Sequence, residues 1–381
     1  MFTMRFDMRT TAGAASRPDL YAAAVEMCAW AETRGALIAV LSEHHATDDG
    51  HLAAPHLLAA AIAARTRQLG ILLAAVPIPF WDPVRLAEEM AALDIISRGR
   101  VSFAFGIGHR SEEYDHFGVD QRTRGQSADE RLALVLRLIR GDTVEVDSRC
   151  VRISPPCATA GGPAVLVAGG SPAAARRAGR HGLGFISQTA DPHLRELYES
   201  ECLAHELPPG MVQFPVAGAP TAVFVADDVD RAWAELGPFL LHDARTAAAY
   251  RHGEDTVASI SRADSVATLR ESDGPYRILT LAEASDAVRA GRPLPLLPLC
   301  AGVPPDVPGP TSNARSWRQA TRDRPLRRSC RAESFEPPAA HRRLVDRRGR
   351  GHRNRRDRPQ ARPGTGRGVG AFAGEGRHGR R

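Results

Sequence analysis

Eight short apolar runs punctuate the first 305 residues, and most are followed by a stretch of helical character. They are Arg5–Met8, Leu37–Leu41, Leu69–Val76, Val101–Ile107, Ala164–Ala168, Gly184–Gln188, Thr221–Ala226 and Leu294–Cys300. Runs this short and apolar read as strands buried on both faces. Helical patterns are expected over about Asp19–Arg34, Pro55–Arg67, Pro83–Ser97, Ser127–Arg140, Pro172–His181, Pro192–His205, a long region from Val229, and Leu281–Ala290. Val144–Ile153 alternates like a small hairpin. Strands that alternate with helices predict a parallel sheet, because a parallel return needs a crossover. Eight such strands are the number that closes a (β/α)8 barrel, here over residues 1–306. A doubly wound open sheet is the competing arrangement. It wants a Gly-rich turn after the first strand, and Thr10-Thr11-Ala12-Gly13-Ala14 is a poor match.

Composition changes where the last barrel helix should begin. All 50 basic residues are Arg. From Asp306 onward there are 21 Arg against 7 acids, leaving 29 Arg against 37 acids in the first 305 residues. The expected barrel is therefore acidic, which argues against nucleic acid as its partner. The absence of Lys excludes Schiff-base catalysis and a Walker-type phosphate lysine. Residues 307–381 are rich in Arg, Pro, Gly and Ala without a sustained period, the pattern of a disordered basic tail. A shifted reading frame in GC-rich coding DNA would produce the same composition and remove the eighth helix. No apolar run reaches membrane-spanning length, and Met1–Arg9 has no signal-peptide core. Six scattered cysteines with no Cys-x-x-Cys pair read as free thiols. A cytoplasmic location is expected from these features.

Chemistry is expected at Ser42-Glu43-His44-His45, a polar cluster directly after the second apolar run. The C-terminal ends of barrel strands are where such folds keep their active sites. His44 reads as a general acid or base, with Glu43 available to fix its tautomer or to pair with an Arg. The bland alternative is a histidine hydrogen-bonded at a strand end. A metal completed by Asp48, Asp49, His51 or His56 is disfavoured, since adjacent side chains diverge and no metal-binding spacing is present.

Two glycine stretches are binding candidates. Gly169-Gly170-Ser171-Pro172 ends a strand and starts a helix, so its backbone N–H groups could cradle a phosphate. An ordinary N-cap is the other reading. Gly106-Ile107-Gly108-His109-Arg110 lacks the dinucleotide spacing but could form a floor on which a flat ring lies. Arg110 could neutralise a phosphate or pair with Glu112 or Glu113.

These pieces fall in the order and spacing of a known family. They are Glu43-His44-His45, Ala74-Ala75-Val76-Pro77-Ile78-Pro79, Asp82-Pro83-Val84-Arg85, and Leu93-Asp94-Ile95-Ile96-Ser97-Arg98-Gly99-Arg100. Then come Glu113-Tyr114, Phe117-Gly118-Val119, Gly169-Gly170-Ser171-Pro172 and Pro298-Leu299-Cys300-Ala301-Gly302-Val303-Pro304-Pro305-Asp306. Together they resemble the bacterial luciferase-like family of flavin- or deazaflavin-dependent oxidoreductases. The resemblance implies a TIM barrel binding reduced FMN, or cofactor F420, at its C-terminal face. It implies that His44 acts beside the flavin, that Ala74–Ala75 is a non-prolyl cis peptide beneath the ring, and that Gly169–Ser171 holds the phosphate. The family's phosphate arginine after strand four is unmatched, as Ile107 stands there. The implied activity is a monooxygenase that uses molecular oxygen and a small organic substrate, with a separate flavin reductase and a homodimeric assembly. An F420-dependent dehydrogenase or reductase and a non-catalytic flavin-binding barrel are the other members the pattern allows.

Overall fold

The computed structural model describes residues 1–305 except 12–13, 217–218, 252–256 and 273. From the N-terminus, β1 (Phe2–Phe6) leads to α1 (Arg17–Glu32), β2 (Ala36–Leu41) to α2 (Pro55–Arg65), and β3 (Gly70–Pro77) to α3 (Pro83–Ser97). After β4 (Val101–Gly106) come α4 (Ser111–Phe117) and α5 (Arg124–Ile139). An antiparallel hairpin of β5 (Val144–Val146) and β6 (Arg149–Val151) precedes β7 (Ala164–Gly169) and α6 (Pro172–Arg180). Next are β8 (Gly184–Ser187), α7 (His193–Ala204) and the short β9 (Val212–Gln213). The last elements are β10 (Ala222–Val225), α8 (Val229–Ala249), α9 (Val266–Glu271), β11 (Tyr276–Leu279), α10 (Leu281–Arg289) and β12 (Leu294–Leu296).

All eight expected strands form. The main sheet runs β11-β10-β12-β1-β2-β3-β4-β7-β8-β9, with every neighbouring pair parallel. From β1 onward, neighbours follow chain order, and the last strand returns beside the first, Phe2 opposite Leu294 and Met4 opposite Leu296. A doubly wound sheet would instead reverse its order partway. Residues from β1, β2, β3, β4, β7, β10 and β11 line a common cavity, so the sheet curls around it as a barrel does. Among the described residues, no helix is long and apolar enough to cross a membrane.

Three details differ from the sequence analysis. Tyr276–Leu279 is a strand that pairs with β10, Ala222 opposite Tyr276. With four residues between Pro275 and the helix-capping Thr280, it is too short to show a period. Ser111–Phe117 is a separate helix ended by Gly118 at φ 64°, where a left-handed turn stops the chain. β1 starts earlier than expected and ends at Phe6, so Asp7, Met8 and Arg9 leave the ladder. The expected disordered tail, with Asp306 and the missing eighth helix, lies outside the described residues.

One buried group sets an acid limit on this fold. His56 of α2 is buried against Trp81 and Phe103, with ring centroids 4.6 and 5.8 Å away. Neither ring nitrogen has a hydrogen-bond partner among the described residues. Burial pushes its pKa down to about 4. In the unfolded chain a histidine protonates near 6.5. Stability present above that value is therefore lost as the pH falls towards 4. We predict that His56→Phe removes roughly 3 kcal/mol of the stability lost between pH 7 and pH 4. Denaturant unfolding of both proteins at the two pH values measures it; equal losses would contradict the assignment.

Candidate active site

β2 delivers Ser42-Glu43-His44-His45 to the mouth of the barrel, and α4 meets this segment from above. The meeting point is the Glu113 carboxylate, which is buried. Its Oε1 accepts the His44 Nδ1–H at 2.9 Å and the His45 backbone N–H at 2.9 Å. Arg110 donates to the same oxygen at 3.3 Å and to the His45 carbonyl at 2.6 Å. Glu43 faces elsewhere: its Oε1 lies 2.9 Å from His45 Nε2 and accepts the Trp81 indole N–H at 3.1 Å. The carboxylate on His44 is thus Glu113, not the adjacent Glu43. Sequence proximity misleads here because successive side chains diverge, whereas α4 folds back over the strand end.

The electrostatics follow from these contacts. Burial would raise the Glu113 pKa, but bonds from His44, the His45 amide and Arg110 hold it below the usual carboxylate value. Burial lowers the His44 pKa, partly countered by Glu113. Two further imidazoles stand edge-on to His44, His51 at 4.8 Å and His109 at 5.6 Å between centroids. Burial holds His51 well below its ordinary value and His109 at about 3. At neutral pH these two rings are uncharged. His44, His45 and His51 point to separate partners, Glu113, Glu43 and Ser42, rather than to a shared centre.

His44 opens onto a cavity of about 620 Å³. Glu43, Ala74, Ala75, Gly106, Gly108, His109, Gly169, Gly170 and Ser171 also line it. The Ala74–Ala75 peptide is cis. A Cβ on Gly106 would stand 3.2 Å from the Ala75 Cβ, so the glycine lets β4 pack against that dipeptide. Arg110 is not on the cavity wall; of its two open roles, the pairing with Glu113 is the one observed. Phe80, Tyr114 and Phe117 pack on one another behind the wall rather than lining it.

At the far end of the cavity, Ser171 caps α6 and its side chain accepts from the Ala174 N–H. Added Cβ atoms would lie 2.7 Å from the Ala174 Cβ at Gly169 and 2.9 Å from the Thr189 Cγ2 at Gly170. Both glycines therefore keep the backbone open where the helix starts. Arg177 lines the same end but is engaged by Asp129, with Nε to Oδ1 at 2.7 Å. Arg124, in the first turn of α5, also lines it and has no ion pair among the described residues. The cavity thus has an anion-attracting end: a helix N-terminus, two glycines and an unpaired guanidinium. Arg124 escapes a reading by motif because it lies on a helix between the sequence clusters.

The family model described as luciferase-like monooxygenase matches residues 1–293. The chain belongs to that family. A curated relative is the oxygenase component of the flavin-dependent trigonelline monooxygenase of Acinetobacter baylyi. It is 31% identical over 143 residues, covering 37% of this chain and 40% of that protein. The chain matches under half the length of this and the limonene 1,2-monooxygenase of Rhodococcus erythropolis, which is 32% identical over 104 residues. The fold resembles the monooxygenase RslO1 from Streptomyces bottropensis, with a TM-score of 0.65 at 21% identity, covering 84% of this chain and 97% of that one. These luciferase-like neighbours establish the fold as a TIM barrel.

Glu113 generates the testable expectation here. Glu113→Gln keeps an acceptor for the His45 amide but removes the charge beside His44. We predict that the His44 pKa falls further below its wild-type value, because a neutral amide no longer favours the imidazolium. Nitrogen NMR of the imidazoles in flavin-free protein reads this directly. An unchanged His44 titration would show that Glu113 does not govern it.

Proposed function

We propose that the chain is a flavin-dependent monooxygenase of the oxygenase-component type, which uses reduced FMN and molecular oxygen to oxidise a small organic substrate. One observation carries this reading: His44 and the Gly169–Ser171 cradle open onto one cavity, across the Ala74–Ala75 dipeptide. Support also comes from the family membership and from the similarity to the oxygenase component of the trigonelline monooxygenase. A separate reductase would supply the reduced flavin.

Bound reduced FMN would provide the electrons that activate oxygen. The protein's part is positional and protonic. The α6 N-terminus, Ser171 and Arg124 would hold the phosphate, and Ala75 and Gly106 would hold the ring system. Glu113 fixes the neutral His44 as the tautomer protonated on Nδ1, so Nε2 is free to accept a proton from a reacting oxygen. His51 and His109, both uncharged, stand edge-on to the His44 ring and do not compete for the proton.

Two measurements test this. FMN, not F420, should bind in the low-micromolar range, about −8 kcal/mol. Saturation by F420 alone would replace oxygen chemistry with hydride transfer, and binding of neither would favour a non-catalytic barrel. Arg124→Ala should weaken FMN by roughly 10- to 100-fold, the worth of a charge-assisted hydrogen bond. Riboflavin, which lacks the phosphate, should bind both proteins equally; equal losses for both ligands would remove Arg124 from the phosphate site.

A further inference from the structure

The wall of the cavity opposite the cradle carries a charge imbalance. β1 stops at Phe6, and Met8 adopts a left-handed conformation with φ 60°. This turn lets Asp7 Oδ1 accept the Arg9 backbone N–H at 3.0 Å, and it brings both side chains onto the cavity wall. Three carboxylates surround the one guanidinium. Arg9 Nη1 donates to Asp243 Oδ1 of α8. Arg9 Nε lies 3.7 Å from Asp49 Oδ2 in the loop after β2. Asp7 is the third. The remaining neighbours are uncharged or already engaged: Tyr276 of β11 donates to Asp243 Oδ2 at 2.5 Å, and the buried Cys300 thiol follows β12. Tyr250 lies with its ring against Arg9, and His242 Nε2 lies 3.2 Å from Asp49 Oδ2.

Arg9 is already shared by Asp243 and Asp49, so an ionised Asp7 would add a further buried negative charge with no cation of its own, which is costly. The donors decide which carboxylate keeps its charge. Asp243 receives a guanidinium N–H and a phenol O–H, and both favour the ionised form. Asp7 receives a single backbone N–H and faces Asp243 and Asp49 as like charges.

We propose that Asp7 keeps its proton up to near-neutral pH, and that in this protonated form it donates a hydrogen bond to an oxygen of the organic substrate. The substrate class this selects is a carbonyl or phenol, whose oxygen accepts from the acid and whose body lies along Phe6, Val40 and Leu297 of the same wall. The Asp7 pKa, raised to about 7 first by burial and then by Asp243 and Asp49 against the pull of Arg9, agrees with this assignment. The substrate role rests on the monooxygenase reading, but the protonated acid does not.

The experiment separates the two. Infrared spectra of flavin-free wild type and Asp7→Asn, recorded from pH 5 to pH 9, should differ by the carbonyl band of a neutral carboxylic acid. That band should vanish with a midpoint near 7. Its absence from the wild type at pH 6 overturns the proposal. So does stoichiometric zinc uptake by wild type but not by Asp7→Asn, which would make Asp7, Asp243 and Cys300 a metal site; their ligand atoms lie within 4.8 Å of one another. Recognition is then read with acetophenone and its oxygen-free analogue α-methylstyrene. Acetophenone affinity should fall about tenfold between pH 6 and pH 8 in wild type, following the fraction of neutral acid. Asp7→Asn, which keeps an N–H donor, should hold one affinity at both pH values, and α-methylstyrene should be indifferent to pH in both proteins. Acetophenone binding that ignores pH in the wild type, or no acetophenone binding, overturns the recognition role while leaving FMN binding as a separate outcome.

Discussion

The site depends on one oxygen atom. Glu113 Oε1 accepts from His44, from the His45 backbone and from Arg110, all in a buried setting. Each donor is obliged to find a partner once water is excluded, and an unmatched one costs about 1–3 kcal/mol. The shared acceptor therefore joins the end of β2 to α4, fixes the tautomer of His44, and directs Arg110 away from the cavity. Arg110 also stacks on Tyr250, its guanidinium carbon 4.1 Å from the ring centroid. Through that contact the carboxylate reaches the end of α8, so elements far apart in the chain share one electrostatic anchor.

The barrel was legible because its strands are short apolar runs set between helices that carry their own boundaries. Pro55 and Pro83 start α2 and α3, and Ser171 caps α6, each at the position where the chain needs an N-terminal signal. The site was legible to the extent that its residues follow strand ends: His44, Ala74–Ala75, Gly106, Gly108 and Gly169–Ser171 reach one cavity. What could not be read were pairings across long separations. The partner of His44 lies 69 residues away, and that of Arg9 lies 234 residues away. No local pattern distinguishes Glu113 from Glu112, or Asp243 from its neighbours, because packing of α4 and α8 over the barrel selects them. β11 was missed for a related reason: four residues carry too little periodicity, and only β10 beside them makes a strand.

The two walls of the cavity are made differently, and the difference bears on how function is distributed over the chain. The wall that carries the proposed phosphate cradle is mostly backbone and small residues. It draws on β3, β4 and β7, which are neighbours in the ladder. Its shape follows from the barrel itself. The opposite wall carries ionisable side chains, and its charges are placed by contacts between the β1 segment and residues more than 200 positions further along the chain. Arg9 meets Asp243, and Arg5 donates to the Thr221 carbonyl at 3.2 Å. That wall needs β12 beside β1 and the α8 residue Asp243 at Arg9. A substitution in the second half of the chain can therefore alter the charge on this wall while the proposed phosphate cradle keeps its form. On a fold that hosts many chemistries, such a division would let loop and helix changes retune selectivity without rebuilding the proposed cofactor site.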